Sequence, residues 1–238
     1  MTPSPLAILG LGFVLGLRHA LDVDHIVAVS TLVSQRRGLW RSLVVGAVWG
    51  LGHTAALLAA GVAVIALHTE IPPHAAQLLE LGVAAMLVGL GLNLLWTLWR
   101  GGTFHLHAHE HVGHRHLHAH RHEAGLPPSD AHHHAVRSAR RPILVGIVHG
   151  LAGSAALMLA VLATIPSPAI AVAYILVFGA GSVGGMMIMS TLLGLPLAIA
   201  AERFTRAELA LRAAAGVGSV AVGLLLGWEI GVASGLLA

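Results

Sequence analysis

The sequence predicts an all-α integral membrane protein whose six transmembrane helices form two inverted three-helix repeats. Three observations predict it. Hydrophobic residues make up 56% of the 238 positions and charged residues only 10%, against about 25% charged in soluble domains. Six apolar runs are long enough to span a bilayer, which takes about 20 residues each. Residues of the first half recur in the second at a spacing of 133 or 134.

The runs cover roughly residues 5–34, 42–67, 75–99, 142–165, 169–200 and 213–237. The first and fifth are long enough to be tilted, broken or partly re-entrant. Arginine decides the orientation. Arg36, Arg37 and Arg41 lie in loop one. Arg100, Arg115, Arg121, Arg137, Arg140 and Arg141 lie in loop three, and Arg203, Arg206 and Arg212 in loop five. Loops two and four have none. The positive-inside rule therefore puts loops one, three and five in the cytoplasm and both termini outside. Trp40, Trp96, Trp99 and Trp228 fall near span boundaries, where aromatic belts form. No cleavable signal peptide is expected, because no basic segment precedes the first run and a polar block follows it.

The repeat matches Gly12, Val14, Gly16 and Leu17 to Gly146, Val148, Gly150 and Leu151. It matches Gly46, Ala47, Gly52 and Gly61 to Gly179, Ala180, Gly185 and Gly194, and Gly82, Val83, Val88, Gly89 and Leu90 to Gly216, Val217, Val222, Gly223 and Leu224. Three spans per unit invert the second unit relative to the first, an arrangement that places a substrate site near the midplane. The chain divides into residues 1–99, the hydrophilic segment 100–141, and residues 142–238.

Composition excludes several classes of function. Mean hydropathy is +0.83, too high for a soluble enzyme. There is no cysteine, hence no disulfide, thiolate metal site or redox dithiol. The net charge of +3 and the pI near 11.0 come from arginines clustered between apolar runs, so no nucleic-acid partner is expected; the lipid bilayer is the expected surroundings. No nucleotide-binding motif and no H-E-x-x-H element is present. The chain also carries 18 histidines against 10 acidic residues, which points to metal chemistry through nitrogen and oxygen ligands.

The block Arg18-His19-Ala20-Leu21-Asp22-Val23-Asp24-His25 interrupts the first span. Charges facing lipid cost about 2.5–3.5 kcal/mol each at a span centre, so the block must face protein or water. On one continuous helix His19, Asp22 and His25 share a face at i, i+3, i+6. Arg18 lies four residues from Asp22, while Asp24 points elsewhere, toward another span or behind a ligand histidine. Two imidazoles and a carboxylate suit Ni²⁺, Co²⁺ or Zn²⁺ better than Mg²⁺ or Ca²⁺. His53 and His149, in spans two and four, are further candidate metal ligands. Thr54, Ser154 and Asn93 read as interhelical hydrogen bonders, and Glu80 and Glu229 as residues near span ends. The small-residue run 179–190 allows close helix approach or an unwound segment; its methionines read as packing residues.

The stretch RHALDVDHI, Arg18 to Ile26, resembles the RHAxDADHI element of the nickel/cobalt transporter family, with its H-x4-D-H core as His19, Asp24 and His25. Val23 stands where the family has Ala. Gly52-His53-Thr54 resembles the family's second element, a Gly-His-Ser/Thr step. The further acidic motifs of the family are absent from the second half. VGIVHGLAGSAAL (145–157) and FGAGSVGGMMIMS (178–190) instead resemble the shorter, six-span nickel-permease branch of urease-accessory-like membrane proteins. The resemblance implies a transporter of Ni²⁺ or Co²⁺, not an enzyme. The implied setting is the bacterial plasma membrane, and the implied partners are a divalent transition-metal ion and a cytoplasmic nickel chaperone or nickel-enzyme maturation system.

The expected function is secondary transport with uptake favoured, the ion held by His19, Asp22, Asp24, His25, His53 and His149, with no bound cofactor. A metal exporter using the same residues is the nearest alternative; a haem-binding membrane subunit is one from a different class. Twelve histidines fall between 105 and 134. This tract is too polar to bury a core, is expected to be disordered, and reads as a cytoplasmic metal buffer.

Overall fold

A computed structural model describes residues 4–35, 38–67, 72–100, 104–111, 114–121, 134–152, 165 and 167–233. Among the described residues the membrane part is helical. Helix α1 spans Pro5–His19 and α2 Val23–Ser34; they are bent by 57° and together pass for one broken span. Helices α3 (Leu39–Leu67) and α4 (Pro73–Trp99) follow. Strands β1 (Phe104–His111) and β2 (His114–Arg121) lead to α5 (His134–Leu151). Helix α6 covers Pro168–Arg203, and α7 (Thr205–Trp228) runs on into a π-helical turn at Glu229–Ala233.

Local signals account for the boundaries. Ser4 caps α1 by accepting from the Ala7 N–H at 3.3 Å, with Pro5 in the first helical position, where its missing donor costs nothing. Pro73 and Pro168 open α4 and α6 in the same way. Gly38, with φ +98°, supplies the left-handed residue before α3.

Among the described residues four helices are long and apolar enough to cross a bilayer, and the bent pair makes a fifth. The expected fourth span, 142–165, is seen only as the C-terminal part of α5; residues 153–164, with Ser154, lie outside the described ones. Helix α6 runs unbroken through the 179–190 run, so those small residues serve close approach rather than unwinding. Leu6, Leu51 and Leu225 stand exposed on the outer surface, an apolar exterior that calls for lipid.

Within the His-rich tract, residues 104–111 and 114–121 depart from the expected disorder. β1 and β2 pair antiparallel, with His105 opposite His120, His107 opposite His118 and His109 opposite His116. Alternation of His with other residues at a period of two is the strand period, and it favours a ribbon over a coil.

Helix α3 is the centre of the bundle, packed on α5 and α6; α4 packs on α7, α1 on α6, and α2 touches α6 and α7. Glycine permits the tightest crossings. A Cβ at Gly150 of α5 would collide with the His53 carbonyl of α3, and one at Gly16 of α1 with the Phe178 carbonyl of α6. Polar side chains tie helices together. Thr54 Oγ1 donates to the Gly179 carbonyl at 3.3 Å, and Ser219 Oγ to that of Leu87 at 2.8 Å. Arg212 of α7 donates through Nε to the Ser34 carbonyl at 2.7 Å, satisfying the C-terminal end of α2. Two apolar cores result, one around Trp49, Val29, Leu87 and Met186, the other around Leu57, Tyr174, Ile175 and Phe178.

Candidate metal centre

The site begins with the break between α1 and α2. The last turn of α1 brings His19 inward. Leu21 N–H bonds to the Arg18 carbonyl at 2.9 Å and Asp22 N–H to the His19 carbonyl at 3.1 Å. Asp22 then turns extended (φ −63°, ψ 146°) and becomes the N-cap of α2. An N-cap aspartate usually accepts from its own helix. Here the side chain makes no such bond, and Oδ2 instead meets His19 Nδ1 at 2.8 Å. Asp24, in the first turn of α2, places its negative charge where the helix dipole favours it.

The break resets the helical phase, yet His19 still meets both Asp22 and His25, and Asp24 stands behind candidate ligand histidines, one of them on another helix, as the sequence reading allowed. Asp22 is about half exposed and pairs with His19 rather than with Arg18. Asp24 is the carboxylate at the centre. Its Oδ1 accepts from the His25 N–H at 2.9 Å and lies 3.0 Å from His25 Nδ1; its Oδ2 lies 3.0 Å from His149 Nε2.

Four helix segments deliver four histidines to one point. His19, His25, His53 and His149 are all buried, the last two completely. Ring centroids are 4.3 Å apart for His19–His25, 5.2 Å for His19–His53, 5.4 Å for His25–His53 and 4.1 Å for His25–His149. The ligand atoms of His19, His25 and His53 lie within 4.8 Å of one another, as do those of Asp24, His25 and His149. His25 belongs to both groups.

Sequence reasoning missed the walls of this site. Trp49 lies 5.4 Å from the His25 ring and 5.8 Å from that of His149, and Phe178 lies 5.7 Å from that of His19. Trp49 was findable. It is the one tryptophan away from a span boundary, one helical turn before His53 on the same face of α3. The cluster therefore sits where the two apolar cores meet.

Hydrogen bonding fixes what the rings can offer. Carboxylates accept, so the facing nitrogens, Nδ1 of His19 and His25 and Nε2 of His149, carry the protons. The opposite nitrogens, His19 Nε2, His25 Nε2 and His149 Nδ1, keep lone pairs. None has a hydrogen-bond partner among the described residues. Buried acceptors left unmet are costly and fit a cation that fills them. A carboxylate behind the rings of His19, His25 and His149 is the arrangement that orients imidazoles toward a metal. Asp22 and Asp24 together also balance the charge of a dication.

The chain matches the high-affinity nickel-transport protein family, NicO, over residues 6–228. It is 37% identical over 231 residues to the urease accessory protein UreH of Bacillus sp. (strain TB-90), covering 97% of this chain and 95% of that protein. No solved structure matches. With the match spanning nearly the whole chain, the protein belongs to the high-affinity nickel-transport family, a multi-pass membrane transporter and not an enzyme.

Proposed function

We propose that the chain is a secondary permease that carries Ni²⁺, and Co²⁺ with it, into the cytoplasm across a bacterial plasma membrane. The observation that carries this reading is the convergence of His19, His25, His53 and His149 from both halves of the chain on one buried point. In this reading His19, His25 and His53 hold the ion through nitrogen. Asp22 orients His19 and Asp24 orients His25, and His149 takes part through Asp24 or as a fourth ligand. Imidazole nitrogen selects borderline ions over Mg²⁺.

Helix pairing supports the inverted repeat. The packing of α1 on α6 has its counterpart in that of α5 on α3, while α3–α6 and α4–α7 pair equivalent spans of the two halves. The ion then sits at the interface of the repeats, and rocking of one half against the other exposes it to each side in turn. A potential of about 100 mV, negative inside, favours entry of a dication by about 4.6 kcal/mol, enough for roughly a thousandfold gradient. The histidine ribbon serves as a cytoplasmic acceptor that keeps free nickel low. By analogy with UreH, the consumer is a nickel enzyme under maturation, urease among them.

Uptake of ⁶³Ni by cells carrying His53→Ala tests the site, and uptake is expected to fall to background with the protein still present in the membrane. Direction is tested by deletion. Loss of an importer makes cells nickel-tolerant, whereas loss of an exporter makes them nickel-sensitive and would reverse the proposed direction.

A further inference from the structure

A cavity of about 400 Å³ opens between α4 and α7, separate from the histidine cluster but joined to it at one residue. Gln77, Glu80 and Val83 line it from α4; Leu226 and Glu229 line it from α7 and its π-helical turn; Asp24 of α2 closes its inner end. Glu80 and Glu229 are near enough to feel each other's charge. Carboxylates are costly in helices as apolar as these, and two from different halves of the chain meeting over a third needs a reason. The π-helical turn starts at Glu229 itself, and such widened turns recur at functional sites.

Asp24 is more than the third acid of a group. Its two oxygens are held by His25 and His149, both fully buried, and the far nitrogen of each ring has no hydrogen-bond partner among the described residues. The cavity thus runs from two carboxylates to a third, Asp24, which holds the rings of His25 and His149 behind it. It lies toward the beginning of α4 and the end of α7, on the side of the α3–α4 connection. That connection has no arginine, the mark of the outer side.

We propose that this cavity is the outer access route for the cation, with Glu80 and Glu229 gathering divalent ions and Asp24 handing them to the histidines. The proposal rests on the reading of the histidine cluster as the ion site. The two stages divide the chemistry. Carboxylate oxygens attract any dication, with Ca²⁺ and Mg²⁺ among them, whereas the imidazoles behind Asp24 retain only borderline metals. Acidic rings at cation pores act in the first way. The route therefore concentrates dications without selecting among them, and extracellular Ca²⁺ competes for entry without being carried.

The test uses the full chain, whose freedom from cysteine leaves no background in thiol labelling. The Glu80→Gln/Glu229→Gln double variant should raise the half-saturating Ni²⁺ concentration for ⁶³Ni uptake about tenfold with a much smaller change in maximal rate. Millimolar Ca²⁺ should inhibit the parent chain competitively and the double variant far less. Glu80→Cys should be modified by a membrane-impermeant cationic thiol reagent added outside intact cells. An unchanged half-saturating concentration, or modification only from the cytoplasmic side, would overturn the route. If the double variant is silent while His53→Ala abolishes uptake, the route fails and the site stands. If the glutamate and labelling results hold while His53→Ala transports normally, the site fails instead.

Discussion

Asp24 Oδ2 lies 3.0 Å from His149 Nε2, joining residues 125 positions apart in sequence and the two halves of the chain at the candidate metal centre. The other oxygen of the same carboxylate holds His25. One side chain therefore fixes two candidate ligands from α2 and α5, and a change in how the halves meet must pass through it.

Replacing Asp24 by Asn keeps the shape but leaves one oxygen to accept, and turns an NH₂ toward a ring N–H that needs an acceptor. Loss of an orienting carboxylate typically costs 10–100-fold in metal affinity or activity. Uptake of ⁶³Ni by Asp24→Asn, normalised to membrane-embedded protein, should fall by about that factor.

Asp22 holds a single ring, at the half-exposed break between α1 and α2. Asn can still accept from His19 Nδ1, whereas Ala cannot. Asp22→Asn should therefore keep most of the uptake, while Asp22→Ala should lose about tenfold. Equal loss in both would mean that the negative charge of Asp22, not its acceptor oxygen, is what matters.

Gly150 brings α5 against the backbone of His53. A methyl group there must push α5 off α3, and overpacking of this kind costs about 1–3 kcal/mol, beyond what alanine returns in helix propensity. Gly150→Ala should lower the unfolding midpoint in detergent and reduce uptake together, because the shift separates His149 from His53.

The chain lacking residues 105–134 should retain most of its initial uptake rate while binding fewer nickel ions at equilibrium. The ribbon joins the helical halves in sequence, whereas the described residues of the buried cluster come from α1, α2, α3 and α5. Complete loss of uptake would make the tract part of the path.

The members of the candidate cluster were legible as far as residue identity. The RHALDVDHI block marks His19, Asp22, Asp24 and His25, the Gly-His-Thr step marks His53, and His149 stands out in a greasy span. Roles were less legible, because spacing assigns a face only while a helix continues. The stop at His19 and restart after Asp22 moved Asp24 into the centre and Asp22 to the edge. No proline or glycine lies between those positions to announce the stop. Trp49 and Phe178 read as ordinary apolar residues, since which rings close around a site depends on how helices cross. Helix pairing was hidden for the same reason, although Gly16 and Gly150, which the sequence pairs at a spacing of 134, each lie at a close helix crossing.

The central claim is that a single buried cluster containing His25 holds the ion. The direct measurement is equilibrium ⁶³Ni binding to purified protein lacking residues 105–134, which removes the twelve histidines of that segment from the count. One ion per chain is expected, abolished by His25→Ala in protein that still elutes as a folded species. Undiminished binding by the His25→Ala chain would contradict the account.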